Sequence, residues 1–187
     1  MSDGDAGSDG EDADAPSGPE RVAVTGTPGT GKTTATSLLA DAYDVIHLND
    51  RITADDDLWT ERDPDRDTLV ADLDAIAEAL GDWSGVLDSH LAHRFDVDRV
   101  VVLRCHPETV ERRLRERGEP EATAVENAES EALDVILSEA VAEHGAESVY
   151  EIDTTDLDPP AVADAIREAI EGEREPSAGT VDFMEYL

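Results

Sequence analysis

The chain has 187 residues and carries 47 Asp plus Glu against 14 Lys plus Arg, a net charge of -33. That balance excludes a broad basic face for duplex DNA, because neutralising phosphates takes many exposed cations, and no stretch approaches the 18 apolar residues of a membrane span. Apolar residues make up 39% of the chain and fall in periodic runs, so the acidity reads as the surface of a folded protein in a very salty cytoplasm, where at about 1 M salt the Debye length is roughly 3 Å and surface self-repulsion nearly vanishes.

The first segment, 1–19, is Asp, Gly, Ser, Ala and Pro with no bulky apolar residue after Met1. It reads as an acidic disordered tail, and it lacks the basic and apolar regions of a signal peptide. Residues 20–171 then alternate strand and helix signals. "RVAVTG" (21–26), "DVIHL" (44–48), "GVLDS" (85–89), "RVVVLR" (99–104) and "SVYEID" (148–153) are short, apolar and rich in Val and Ile, the pattern of buried parallel strands. Helical segments are expected at 32–43, about 67–80, 107–117, about 124–144 and 159–171, with Pro107 and Pro159–Pro160 placed as helix openers. Strands alternating with helices predict an α/β fold, a five-stranded parallel sheet with helices on both faces.

The first strand runs into "TGTPGTGKTTAT" (25–36), where Lys32 is the only lysine in the chain. The stretch matches G-x-x-x-x-G-K-[ST] in a strand–loop–helix setting, the context that gives the motif its meaning. Glycines such as Gly29 and Gly31 let the backbone turn its N–H groups inward as an anion nest, and Lys32 adds a mobile point charge for the β- and γ-phosphates. The Thr33 hydroxyl is placed to ligate Mg²⁺, with Thr34 beside it. A planar guanidinium is a poor replacement for that ammonium, which accounts for the one lysine retained. This predicts a P-loop NTPase three-layer fold.

Residues 49–66, "NDRITADDDLWTERDPDR", read as an irregular segment over the carboxyl edge of the sheet, with Asp50, Arg51, Trp59 and Arg62 as candidates for holding a second substrate. Asp88 ends a strand, where ligands gather in parallel sheets. There it can serve the water shell of Mg²⁺ or cap a helix. His90, two residues on, is a candidate for polarising a water or positioning a phosphate; His47, His93, His106 and His144 carry no such signal. Cys105 reads as a small buried side chain.

In "PETVERRLRERG" (107–118), Glu108 and Arg112, and Glu111 and Arg115, have the i,i+4 spacing of ordinary pairs. Arg113 and Arg117 are like charges on one face and point to an outside anion such as a polyphosphate. Gly118 should stop the helix, which makes about 116–126 a candidate short lid. Residues 172–187 form a C-terminal tail with a short apolar end, "VDFMEYL".

Together "TGTPGTGKTT", "LDSH", "VVVLR", "RLRERG" and "ENAESEAL" resemble the adenylate kinase isoenzyme 6 family, short-lid nucleoside monophosphate kinases linked to small-subunit ribosome assembly. The resemblance covers roughly 21–171. It implies that Gly29, Gly31, Lys32, Thr33 and Thr34 bind ATP phosphates, that Asp88 and His90 stand in an Asp-x-His motif, and that Arg117 is a lid arginine. It further implies Mg²⁺ and ATP as phosphoryl donor, a nucleoside monophosphate as acceptor, slow ATP hydrolysis, and ribosomal protein uS11 and the pre-ribosomal small subunit as partners. Two departures are plain. "HLND" (47–50) stands where the family often has Asn-x-Gly-Asp, and Glu119 follows Arg-Gly where the family has an aromatic. An ATP-driven assembly factor with incidental kinase activity, or a shikimate-type small-metabolite kinase, remain alternatives.

Overall fold

Successive side chains of a strand point to opposite faces, and in this chain both sets are apolar. The computed structural model describes residues 20–63 and 68–187. The acidic stretch 1–19 lies outside them, as do residues 64–67, at the junction of the expected irregular segment and the helix expected at about 67–80. The strands are β1 (Arg21–Thr25), β2 (Val45–His47), β3 (Trp59–Asp63), β4 (Thr68–Ala71), β5 (Gly85–Asp88), β6 (Arg99–Arg104) and β7 (Val149–Asp153). Five of them form a parallel sheet in the order β2-β5-β1-β6-β7, and β3 and β4 make a separate antiparallel pair. The helices are α1 (Lys32–Ser37), α2 (Leu48–Ala54), α3 (Leu73–Leu80), α4 (Pro107–Glu116), α5 (Glu121–Ala132), α6 (Val135–His144) and α7 (Pro159–Ile170).

The alternation sorts the core into two layers. Val22, Val24, Val101, Leu103 and Ile152 pack with Ala35 and Leu39 and with Val162, Ala163 and Ile166 of α7. Their strand neighbours Ala23, Leu87, Val100 and Val102 pack the other way, with Leu48, Ile76, Leu80 and Leu137. The sheet is therefore covered on both faces, as the strand spacing predicts. Its carboxyl edge, where β1 and β5 end side by side with Val24 in register with Asp88, is where the loops converge.

Three helices depart from expectation. The helix expected at about 67–80 is replaced over 68–71 by β4 and starts only at Leu73, where the Asp72 carboxylate accepts from the Ala75 N–H. The long helix expected at about 124–144 is two. Asp134 sits in the left-handed region at φ 55°, and its carboxylate takes a guanidinium N–H of Arg104 at 2.5 Å. That ion pair fixes the break between α5 and α6. The helix expected at 32–43 keeps regular form only to Ser37 and continues as tighter turns, such as Leu39 N–H to Thr36 C=O.

The irregular segment at 49–66 contains α2 and β3. The stretch expected as a lid at about 116–126 shortens to Arg117–Pro120, because α5 begins at Glu121. Residues beyond α7 return along the sheet edge: Ser177 bridges Tyr150, and the Glu151 carboxylate accepts from the Thr180 N–H and hydroxyl.

Candidate functional site

The loop between β1 and α1 is built around places where a side chain cannot go. A Cβ on Gly26 would lie 2.4 Å from the Leu103 carbonyl oxygen of β6, so only glycine lets the loop leave the sheet there. Gly31 stands at φ 96° as it opens α1, a conformation that costs glycine nothing. Lys32, next along, is buried, and its Nζ reaches back to donate to the carbonyls of Gly26 at 2.7 Å and Thr27 at 3.0 Å. Burial lowers its pKa from 10.5 to about 8; Asp88 and Glu131 oppose that shift and Arg117 adds to it. The ammonium is thus charged at neutral pH but poorly compensated, a site that gains from an arriving anion.

Two hollows meet at this loop. One, of about 230 Å³, is lined by Gly29, Gly31, Lys32, Thr33, Thr34, Asn49, His90 and Arg117. A neighbour of about 220 Å³ is bounded by Gly29, Gly31, Thr34, Arg113 and Arg117 and by Thr154, Leu157, Pro159 and Val162. Arg113 and Arg117 therefore face one space, as their like charge on one helix face predicts. Arg113 is anchored by donation to the Gly29 carbonyl at 3.0 Å, whereas Arg117, just past α4, is exposed. Glu111 pairs with Arg115 at 2.6 Å as expected, but Arg112 lies nearest Glu116, at 3.9 Å, instead of Glu108.

Asp88 lies beneath the loop, 3% exposed and behind the lining of these two hollows rather than part of it. Its Oδ2 accepts from His47 Nδ1 at 2.8 Å and lies 3.2 Å from Thr36 Oγ1, while its Oδ1 is buried without a hydrogen-bond partner. His90 is held neutral at pH 7, with a pKa lowered to about 4 by burial first and then by the Lys32 and His93 charges. Cys105 is buried, and burial pushes its thiol pKa up.

A third hollow, of about 850 Å³, opens on the far side of His90. Its lining includes Asn49, Ile52, Trp59, Arg62, Leu69, Leu73, His90 and Arg94. Asn49 and His90 line both this space and the loop hollow, so the two adjoin there. Trp59 and Arg62 face the space. Asp50 and Arg51 do not: both are exposed on α2 and absent from the lining of all three hollows, because the helical turn that brings Asn49 and Ile52 inward sends its other face to solvent.

Sequence reasoning missed the frame beneath the loop. Arg104 is 1% exposed and reaches Glu131 Oε1 at 2.8 Å, Glu151 Oε1 at 2.5 Å and Asp134 Oδ1 at 2.5 Å. Glu131 in turn accepts from the Thr27 hydroxyl of the loop. The available signal was a cation closing an otherwise apolar strand, "RVVVLR", which must find carboxylates if it is buried. Asn49 was also missed. Its Oδ1 accepts from the Ser89 hydroxyl at 2.9 Å, tying α2 to the end of β5. Both His47 and His93, set aside from sequence, are bonded: His93 lies 3.0 Å from Thr25 Oγ1 and from Glu139 Oε2.

Known proteins resemble this chain over most of its length. The family described as "AAA domain" matches residues 22–134. A protein named "Putative adenylate kinase" from Natronomonas pharaonis is 64% identical over 168 residues, covering 89% of this chain and 99% of its own. Proteins of the same name from Halobacterium salinarum and Methanothermobacter thermautotrophicus are 57% and 42% identical, each over 89% of this chain and over 99% and 98% of their own lengths. The chain belongs to this adenylate kinase family. Family membership and the parallel sheet agree with the P-loop NTPase fold expected from "GTPGTGKT". Among the described residues, no helix of this family member is long and apolar enough to cross a membrane, and no group of three or more His, Cys, Asp or Glu side chains is arranged to hold a metal.

Proposed function

We propose that the protein is a nucleoside monophosphate kinase of the adenylate kinase kind, moving the terminal phosphoryl of ATP to a nucleoside monophosphate. The observation that carries this reading is the adjoining pair of hollows: a glycine-framed anion cradle around Lys32, and a larger space meeting it at Asn49 and His90. A donor in the first and an acceptor in the second would place the reacting groups at that junction, and phosphoryl transfer depends mostly on such positioning and on electrostatic stabilisation.

In this reading Gly29, Gly31, Thr33 and Thr34 cradle the phosphates through backbone N–H groups, and Lys32 exchanges its carbonyl partners for phosphate oxygens. Arg113 and Arg117 face the hollow nearer α7, where Leu157, Pro159 and Val162 offer apolar cover for the adenosine part. Arg117, exposed and next to Gly118, is free to swing onto the transferring group. His90, neutral, positions the acceptor or a water without adding charge. The hard oxygens of Thr33 and Asp88, one of them buried and unpartnered, fit Mg²⁺: Thr33 would hold the ion directly and Asp88 through its water shell. When bound, the ion neutralises charge on the phosphate oxygens.

The acceptor space has mostly apolar walls around Trp59 and Arg62, which supports tolerance of more than one base. Slow ATP hydrolysis follows if water enters the same space. A part in late small-subunit rRNA maturation with ribosomal protein uS11 rests on the family resemblance, and recovery of pre-ribosomal small subunits with the tagged protein checks it. Relatives in halophilic archaea support the reading of the acidic surface as an adaptation to salt. The deciding assay mixes the protein with Mg·ATP and AMP, CMP, GMP or UMP in high salt. Acceptor-dependent ADP formation is expected; ADP formed no faster with any acceptor than without one sinks the kinase reading.

A further inference from the structure

The geometry points to His47 as a positioning residue that holds the Asp88 carboxylate for the metal, an inference that rests on the kinase reading above. β2 and β5 run parallel with His47 in register with Asp88, which puts the two side chains on the same side of the sheet. His47 also occupies the position before α2, where a side chain ordinarily caps the first turn, yet it makes no such bond. Its ring turns to Asp88 Oδ2 instead, at 2.8 Å. A carboxylate oxygen only accepts, so Nδ1 is the protonated nitrogen and donates.

The other neighbour of Oδ2 is the weaker holder. Thr36 Oγ1 lies 3.2 Å from Oδ2 but 3.0 Å from the Lys32 carbonyl and 3.3 Å from that of Thr33. One hydroxyl proton serves one acceptor at a time, and the helix carbonyl is nearest. His47 is therefore the committed donor to this buried carboxylate. With Oδ2 engaged, the plane of the carboxylate is fixed, and Oδ1, buried and without a partner, is the oxygen left for the hydrated cation. Donors to a metal's own ligands typically contribute about 10- to 100-fold to metal affinity; His47 acts one step further out, because Asp88 serves the ion through water, so a loss at the low end of that range is expected.

The next residues make the same crossing, since Asn49 accepts from Ser89. The end of β2 and the start of the acceptor-side helix α2 are thus bonded to Asp88 at the end of β5 and to Ser89 just past it. His47 joins the acceptor side of the site to the carboxylate that serves the donor's metal.

The test is Mn²⁺ binding, read by electron paramagnetic resonance, to full-length protein holding a non-hydrolysable ATP analogue in high salt, with circular dichroism to check folding. His47→Ala should weaken Mn²⁺ about tenfold while leaving metal-free analogue affinity unchanged. His47→Asn, whose amide N–H stands near the position of Nδ1–H, should restore Mn²⁺ affinity. His47→Gln, whose amide stands nearer Nε2, should not. If His47→Ala fails to fold, the Asn and Gln variants decide the matter between them. Tight Mn²⁺ binding by wild type with no loss in His47→Ala, or equal rescue by Asn and Gln, overturns the positioning role alone. Wild-type protein that takes up no Mn²⁺ with the analogue overturns this role and the kinase reading together.

Discussion

The two sides of the site are built by different means. On the proposed donor side, the loop from Gly26 to Lys32 is held by close backbone packing and a buried frame: a carbonyl 2.4 Å from where a Gly26 Cβ would sit, two carbonyls on Lys32 Nζ, and the Thr27 hydroxyl on the buried Glu131–Arg104 cluster. On the proposed acceptor side, a short helix and an antiparallel strand pair border an open space of about 850 Å³, whose lining includes the side chains of Trp59 and Arg62. A shape set by backbone and a buried frame tolerates little substitution near it, whereas a surface set by exposed side chains can change its ligand without changing the fold. On the proposed function, donor chemistry is therefore the fixed part of this molecule, and acceptor choice the adjustable part.

The largest expected effect strikes the fixed side. Lys32→Ala should lower kcat by about 1000-fold, the scale of losing one preorganised charge at a transferring phosphoryl, and Lys32→Arg should do nearly as badly because a planar fork does not fit the space between two loop carbonyls. Wild-type turnover in Lys32→Arg would break the comparison at once. Next comes Arg104→Ala, which strands the carboxylates of Glu131, Glu151 and Asp134 and should cost about 3–5 kcal/mol in urea unfolding at high salt. A stable variant would show that the loop does not depend on the cluster beneath it.

Smaller effects sharpen the contrast. Arg117→Ala should reduce turnover about tenfold or more, and Arg112→Ala, exposed and 3.9 Å from Glu116, hardly at all, since surface pairs contribute ~0–1 kcal/mol. Equal effects in steady-state kinetics would remove Arg117 from the donor side. Trp59→Ala should raise the acceptor KM and leave the ATP KM unchanged, the signature of a side that grips by side chains.

The smallest effect is a pH dependence at their junction. The folded-state pKa of His90, about 4, lies below its ordinary 6.5, so the unfolded chain takes up the proton first as pH falls. The stability this group contributes is whole above pH 6.5 and declines between 6.5 and 4. Unfolding free energies of His90→Asn from urea titrations should fall less steeply over that range, by about 1–3 kcal/mol in total at most; parallel curves would show that His90 is not held neutral.

How much of this the sequence disclosed follows the same division. The five sheet strands were legible because each is a short run rich in Val and Ile, and the central ones, β1, β5 and β6, are buried almost throughout. The phosphate loop was legible because its requirements are local: glycines, one lysine and a hydroxyl at fixed spacing. The antiparallel pair was not. "TLVADL" has apolar residues at helical spacing, and only pairing with β3 decides that 68–71 is extended. Nor was the break at Asp134, which depends on Arg104 from a strand thirty positions earlier. His47, which carries no signal in the sequence, became meaningful only when the register of β2 against β5 put it beside Asp88. Long-range pairings are what a one-dimensional pattern cannot show.

The segment after α7 carries a practical lesson. Glu151 shares its two oxygens between Arg104 and the stretch at Thr180 and Val181. Anyone trimming the protein at Ile170 to ease crystallisation would take donors away from an acid sealed inside the molecule, and the disturbance would run through Arg104 and Glu131 to the threonine that opens the nucleotide loop. The carboxyl-terminal residue itself, Leu187, is exposed: a purification handle added there leaves those bonds alone.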